Sequence, residues 1–193
     1  MDFFSHVLTA NLGGIYLSAK NPSIKRYPII VAGVIPDIGE IMIQTQLSRK
    51  FGTEFGVYDA RTSDISIASQ LSTTWLYDAL HSPMLVLFCF VISKICNNKC
   101  KNILQSFGYG LFFHILLDFC THGKVWAMKL FFPFSNQRFP IFAESIGNWW
   151  DWTPKLSLPL VSYGFPLYNI LYIIFILSLT IYFQKCQQNL KQL

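Results

Sequence analysis

At 193 residues, with 52% hydrophobic and 13% charged side chains, the chain carries roughly half the charged share of an average soluble domain. Its 18 Phe residues push the same way: a soluble fold of this size would have to hide nearly all of its surface, and composition points to a membrane protein instead. The net charge of +5 is spread over loops and tails rather than gathered in one basic stripe, which argues against nucleic acid as a partner and for charge that sets membrane topology.

The length suits one domain over residues 1–193, and no stretch reads as a linker. The five cysteines are odd in number and lie mostly in apolar runs, which argues against a disulfide framework, and no CxxC pair offers thiolates to zinc. The opening "MDFFSHVLTANLGG" carries an acid where a signal peptide needs positive charge, so it does not read as a cleaved leader.

In chain order, residues 2–19 predict a short amphipathic helix with His6 near its start, although Gly13 and Gly14 weaken it. "NPSIKRYP" is a turn-rich basic break. "IIVAGVIPDIGEIMI" (29–43) is apolar but punctured by "PDIGE", which brings Asp37 and Glu40 into hydrophobic surroundings. Residues 44–70 are the most polar part and predict a solvated excursion. From Leu71 to Cys96 the chain reads helical, with Ser82–Pro83 as a signal for a fresh helix start. After the polar turn "NNKCKN", residues 103–121 give about 19 residues of apolar helix, long enough to cross roughly 30 Å of hydrocarbon. Residues 124–165 mix Trp, Phe and Pro as chains do at headgroup level, and 166–183 reads as the cleanest transmembrane helix.

The two apolar runs around "NNKCKN" form an expected antiparallel hairpin. His81 lies about 18 residues before the turn, His114 about 15 after and Asp118 about 18 after, so at ~1.5 Å of rise per residue all three fall within roughly 6 Å in height. Whether they face each other depends on helix rotation, which spacing leaves open. On the second helix Ser106, Gly110, His114, Asp118 and His122 make one stripe of small or polar residues at i, i+4, and small residues admit a neighbouring helix closely. A buried His114–Asp118 hydrogen bond would be the plain explanation. Four histidines near apolar segments and a carboxylate at i+4 favour a metal site, because ionisable groups at membrane depth are costly and usually functional. Imidazole and carboxylate suit zinc, iron or manganese, with zinc the default for hydrolysis. His122 reads either as a third ligand or as a helix-end histidine before Gly123.

These residues resemble a known family. His6, "GVIPDIGE" with Asp37, "LHSPML" with His81, and "HILLDFCTHG…FFPFS" with His114 and Asp118 are similar to the YdjM/YbcI-type membrane-bound metal-dependent hydrolases over about residues 1–135. The HxxxD pair also looks like the metal-binding helix of zinc-dependent phospholipases C and related single-strand nucleases. The resemblance implies an all-α, membrane-embedded helical bundle with a metal site between helices, held in the bacterial inner (cytoplasmic) membrane. It implies His6, Asp37, His81, His114 and Asp118 as ligands, a divalent metal as cofactor, and hydrolysis of a phospholipid or other phosphoester drawn from membrane lipids. Where the family tends to show a second acid soon after "PD", this chain has Gly39 and then Glu40, so either Glu40 substitutes from one turn on or a second metal is weakened.

In that chemistry Asp37 or Glu40 would orient or deprotonate the attacking water, and Asp78 would support His81 three residues on, unless it is simply a solvated helix-start acid. In "GNWWDW" the tryptophans read as interfacial anchors, or else Asp151 and Asn148 line the mouth of the site. Lys94, Lys99 and Lys101 at the hairpin turn, with Lys185 and Lys191 after the last apolar run, put the metal end on the face opposite the cytoplasm. Lys20, Lys25 and Arg26 fit only if the first segments also return there. The competing readings are a non-catalytic membrane scaffold or regulator that keeps a metal for stability, and a transporter using the His and Asp residues as an ion path.

Overall fold

The structure, a computed structural model, describes residues 3–51, 74–121, 128–139, 155–158 and 161–190. The elements run α1 (Phe3–Lys20), α2 (Arg26–Ala32), α3 (Ile35–Phe51), α4 (Thr74–Leu80), α5 (Pro83–Ser93), α6 (Asn98–Thr121), β1 (Lys155–Leu158), β2 (Val161–Pro166) and α7 (Leu167–Leu190). The expected helical bundle is present. The aromatic-rich region also contains a short antiparallel hairpin, in which Lys155 pairs with Pro166 and Leu158 with Val161.

Two stretches are long and apolar enough to cross a membrane, Arg26–Lys50 and Asn98–Cys120, and α4 with α5 adds a third if that pair, bent by 57°, counts as one span. The last helix, read from sequence as the cleanest span, offers a shorter apolar stretch over Ile170–Lys185. The interruption expected in 29–43 falls at Gly33–Val34, between α2 and α3, just ahead of "PDIGE". Proline needs no amide hydrogen in a first turn, so Pro36 starts α3 and puts Asp37 in that turn. The first part of the stretch expected as a solvated excursion, from 44 on, is helical instead: α3 runs on to Phe51 because Ile43 and Leu47, four apart, are fully buried on one face. Residues 52–73 lie outside the described residues.

The Ser82–Pro83 signal does start a fresh helix. Ser82 is extended and its Oγ accepts from Met84 N at 3.2 Å, with Pro83 in the first turn, so α4 stops and α5 sets off at a new angle. The α5–α6 hairpin forms, but its turn falls over 94–97, earlier than expected: Asn97 Oδ1 accepts from Cys100 N at 3.0 Å, and the rest of "NNKCKN" is already the first turn of α6. Its core holds Val86, Cys89, Leu111 and Ile115, joined by Ala32 of α2 and Met128 beyond α6.

The small stripe on α6 receives α2. Lys25 N donates to Ser106 Oγ at 2.7 Å, and a Cβ on Gly110 would overlap the Ile29 carbonyl oxygen and come within 2.7 Å of Ala32 Cβ. Only glycine permits that approach. Gly13 does the same for α1: a Cβ there would overlap the Phe113 ring, so the residue that weakens the helix in sequence lets it dock in the fold. The helix α7 packs along α1, where Thr9 Oγ1 and Tyr172 Oη share a hydrogen bond of 2.6 Å.

Candidate metal centre

The close fit of α2 on α6 fixes the rotation that spacing left open. The contacts step in fours, Lys25 on Ser106, Ile29 on Gly110 and Gly33 on His114, so the polar stripe faces inward along its length. At the end of the stripe α1 contributes His6, α3 contributes Asp37, and the joint between α4 and α5 contributes His81. These three converge on His114 and Asp118.

The distances are those of one cluster. Asp118 Oδ1 lies 3.1 Å from His6 Nε2, and Asp118 Oδ2 lies 3.0 Å from His114 Nε2 and 3.2 Å from His81 Nε2. The His81 and His114 Nε2 atoms are 3.2 Å apart, and Asp37 Oδ1 is 3.8 Å from His114 Nε2. The His6 ring stacks on that of His114 with centroids 3.8 Å apart, and Tyr77 stacks on His81 at 4.0 Å. Four of the five side chains are sealed; Asp37, with 12% of its side chain exposed, is the opening.

Backbone carbonyls set the tautomers. His114 Nδ1 lies 2.9 Å from Gly33 O and His81 Nδ1 lies 2.9 Å from Tyr77 O. A carbonyl only accepts, so each Nδ1 carries the proton and each Nε2 presents a lone pair to the cluster. With both rings neutral, two imidazole lone pairs and a carboxylate oxygen meet at 3.0–3.2 Å. Such an arrangement is repulsive unless a cation sits among them.

A divalent metal fits. With metal–ligand distances of ~2.0–2.1 Å, tetrahedral ligands stand ~3.3 Å from one another, close to the separations seen here. Neither ring nitrogen of His6 makes a hydrogen bond, since its 3.1 Å approach to Asp118 lacks the alignment, and Asp37 Oδ2 also lacks a partner. Buried polar atoms are rarely left so, and an ion would satisfy them. Burial outweighs the pull of the Asp118 carboxylate and lowers the His6 pKa to about 3, which keeps the ring neutral, as a ligand must be. The donor atoms of His6, His114 and Asp118 alone lie within 4.8 Å of one another, enough to hold a metal ion.

The five residues that the resemblance implied as ligands are thus brought together. Glu40, on the next turn of α3, is partly exposed and within electrostatic reach of Asp37. Asp78 is neither a solvated acid nor a prop for His81. Its buried carboxylate receives Lys129 Nζ at 2.7 Å and Arg138 Nη2 at 3.1 Å, because a carboxylate this deep needs cationic partners. Together with the 3.1 Å hydrogen bond from Ser82 Oγ to Phe132 O, these pairs tie residues 128–139 across the α4–α5 joint. His122 and Asp151, with the rest of "GNWWDW", lie outside the described residues. Sequence reasoning missed Tyr77 and the carbonyls of Gly33 and Tyr77. Tyr77 lies four residues before His81 and is open to an i, i+4 reading, whereas nothing in the sequence marks a carbonyl as an orienting group.

A family model described as YdjM inner membrane protein matches residues 1–189. The chain belongs to this family and is an inner membrane protein. No curated protein and no solved structure matches it.

Proposed function

We propose that this member of the YdjM inner membrane protein family is a divalent-metal-dependent hydrolase acting on a phosphoester, with a phospholipid or similar amphiphile as substrate. The observation that carries the reading is the facing of the His81 and His114 Nε2 lone pairs beside Asp118, with both Nδ1 atoms committed to backbone carbonyls. His6, Asp37, His81, His114 and Asp118 would hold the metal; imidazole and carboxylate ligands suit zinc, iron or manganese, and zinc is the default for hydrolysis. Such an ion acidifies water toward pKa ~7 and polarises a phosphoryl oxygen.

The chain's own residues supply the rest. The carbonyls of Gly33 and Tyr77 hold two imidazoles in the ligating tautomer. Asp37, the one opening of the cluster, stands where a water would enter, and its unpartnered Oδ2 is the oxygen to orient that water or accept its proton. Ile38, Ile41 and Met42 are exposed around it on α3 and give the approach an apolar rim suited to an acyl chain. The similarity of the HxxxD pair to zinc-dependent phospholipases C favours a phosphoester over other bonds.

The test is hydrolysis of phosphatidylglycerol and of a chromogenic phosphodiester by detergent-purified, zinc-loaded protein. Turnover is expected to vanish on chelation, to return with zinc, and to fall about 100-fold or more per bound zinc in Asp37→Asn. Turnover indifferent to both chelator and Asp37→Asn would sink the reading. The sealing of four of the five side chains also fits a second role, a closed structural metal site. That role predicts unfolding, rather than lost turnover, when the metal is removed.

A further inference from the structure

The helices sort charge by end. Next to His114, α2 begins at the turn end of the hairpin, where Lys25 bonds Ser106, and climbs to the site at Gly33. In the opposite sense α1 carries His6 at the site and Lys20 in its last turn, passing Arg26 at Asn11, where the two side chains hydrogen-bond. α7 runs parallel to α1, with Tyr172 on Thr9 and Phe183 against Tyr16, so Lys185 falls beside Lys20. Lys94, Lys99 and Lys101 flank the hairpin turn itself.

One end of the bundle thus gathers Lys20, Lys25, Arg26, Lys94, Lys99 and Lys185, all exposed, and the half-buried Lys101. No carboxylate joins them there among the described residues: Asp37, Glu40, Asp78 and Asp118 all lie on elements at the site end. On that side Lys129 and Arg138 are tied up by Asp78, and only Arg49 and Lys50, at the close of α3, stand exposed on a described helix.

Lys99 is 15 residues before His114 on one continuous helix, which sets the basic end about 22 Å from the site, most of the ~30 Å hydrocarbon thickness. Residues 128–139, tied to the site end, expose Phe131 and Phe134 beside the polar Asn136 and Gln137, the mixture that sits at headgroup level. Along α6 the His114–Asp118 end of the site therefore lies near one end of the span and the basic end near the other.

We infer that the basic end docks on the anionic headgroups of the cytoplasmic leaflet and that the metal centre opens to the extracytoplasmic face. Basic residues near membrane-spanning segments are retained on the cytoplasmic side, and each lysine or arginine close to an anionic leaflet adds to the attraction. Taken with the proposed hydrolase, this means that the phosphoester reaches Asp37 from the outer leaflet or the outer compartment. The charge argument itself does not depend on catalysis.

The experiment is thiol labelling of intact spheroplasts with a membrane-impermeant maleimide. Two variants are used in a background whose other cysteines are serine: one keeping Cys100 at the basic end, one carrying Gln137→Cys at the site end. Gln137→Cys is expected to label from outside at least tenfold more than Cys100, and Cys100 to label fully only after permeabilisation. The reverse pattern, or equal labelling from one side, would overturn the inference. A triple Lys94→Glu, Lys99→Glu, Lys101→Glu change is expected to raise outside labelling of Cys100; if the pattern stays unchanged, the charge is not the cause and the inference falls. Both variants must be recovered in the membrane fraction. Labelling needs no metal, so a chain that proves metal-free would end the hydrolase reading and leave this result standing.

Discussion

α6 and α7 are helices of equal length, 24 residues each, and both are rich in apolar side chains, yet they do different work. α6 buries a stripe of Ser106, Gly110, His114 and Asp118 and turns Phe112 and Leu116 outward. α7 exposes Leu171, Ile174, Phe175, Leu177, Ile181 and Tyr182, and is held to α1 by side-chain contacts such as Thr9 with Tyr172. The helix that carries the His–Asp cluster is marked by a regular interruption of apolarity, every fourth residue, because that stripe must be satisfied by other protein.

The sharpest way to break this comparison is to fill the stripe. Gly110→Leu would drive a side chain into the Ile29 carbonyl and Ala32, backbone that cannot yield without moving α2. The expected loss is about 3 kcal/mol or more, read as a fall in thermal midpoint and in monodisperse protein. An unchanged midpoint would mean that α2 does not seat on α6. The smallest effect is expected on α7. Ile174→Ser, at a side chain 55% exposed, should change stability by no more than about 0.5 kcal/mol and leave metal content intact. Loss of metal in that variant would show α7 to be part of the site.

How much of this was legible in sequence follows from what sequence encodes. His81, His114 and Asp118 meet at 3.0–3.2 Å as expected, although the turn from which their heights were counted lies several residues earlier, over 94–97, and His81 sits at the bent joint between α4 and α5 rather than within a hairpin helix. Helix rotation is not encoded by spacing, and here it is set by Gly110 and Ser106 fitting α2. His6 and Asp37 came from the family resemblance, because no local periodicity links residues on α1 and α3 to a site on α6. Asp78 was misread because its partners, Lys129 and Arg138, lie more than 50 residues away and reach it only through the fold. The interruption read at PDIGE lies two to three residues earlier, at Gly33–Val34, because Pro36 sits in the first turn of α3 and Gly39 lets that helix pack on Tyr77.

The central claim is that the converging His and Asp side chains exist to hold a metal. Elemental mass spectrometry of detergent-purified wild type, His114→Ala and Asp118→Ala tests it most directly. One or more equivalents of zinc or another transition metal in the wild type, lost from both variants while they remain folded, is the predicted result. A wild type that stays metal-free even after reconstitution with zinc would contradict it and reduce the cluster to a buried polar core.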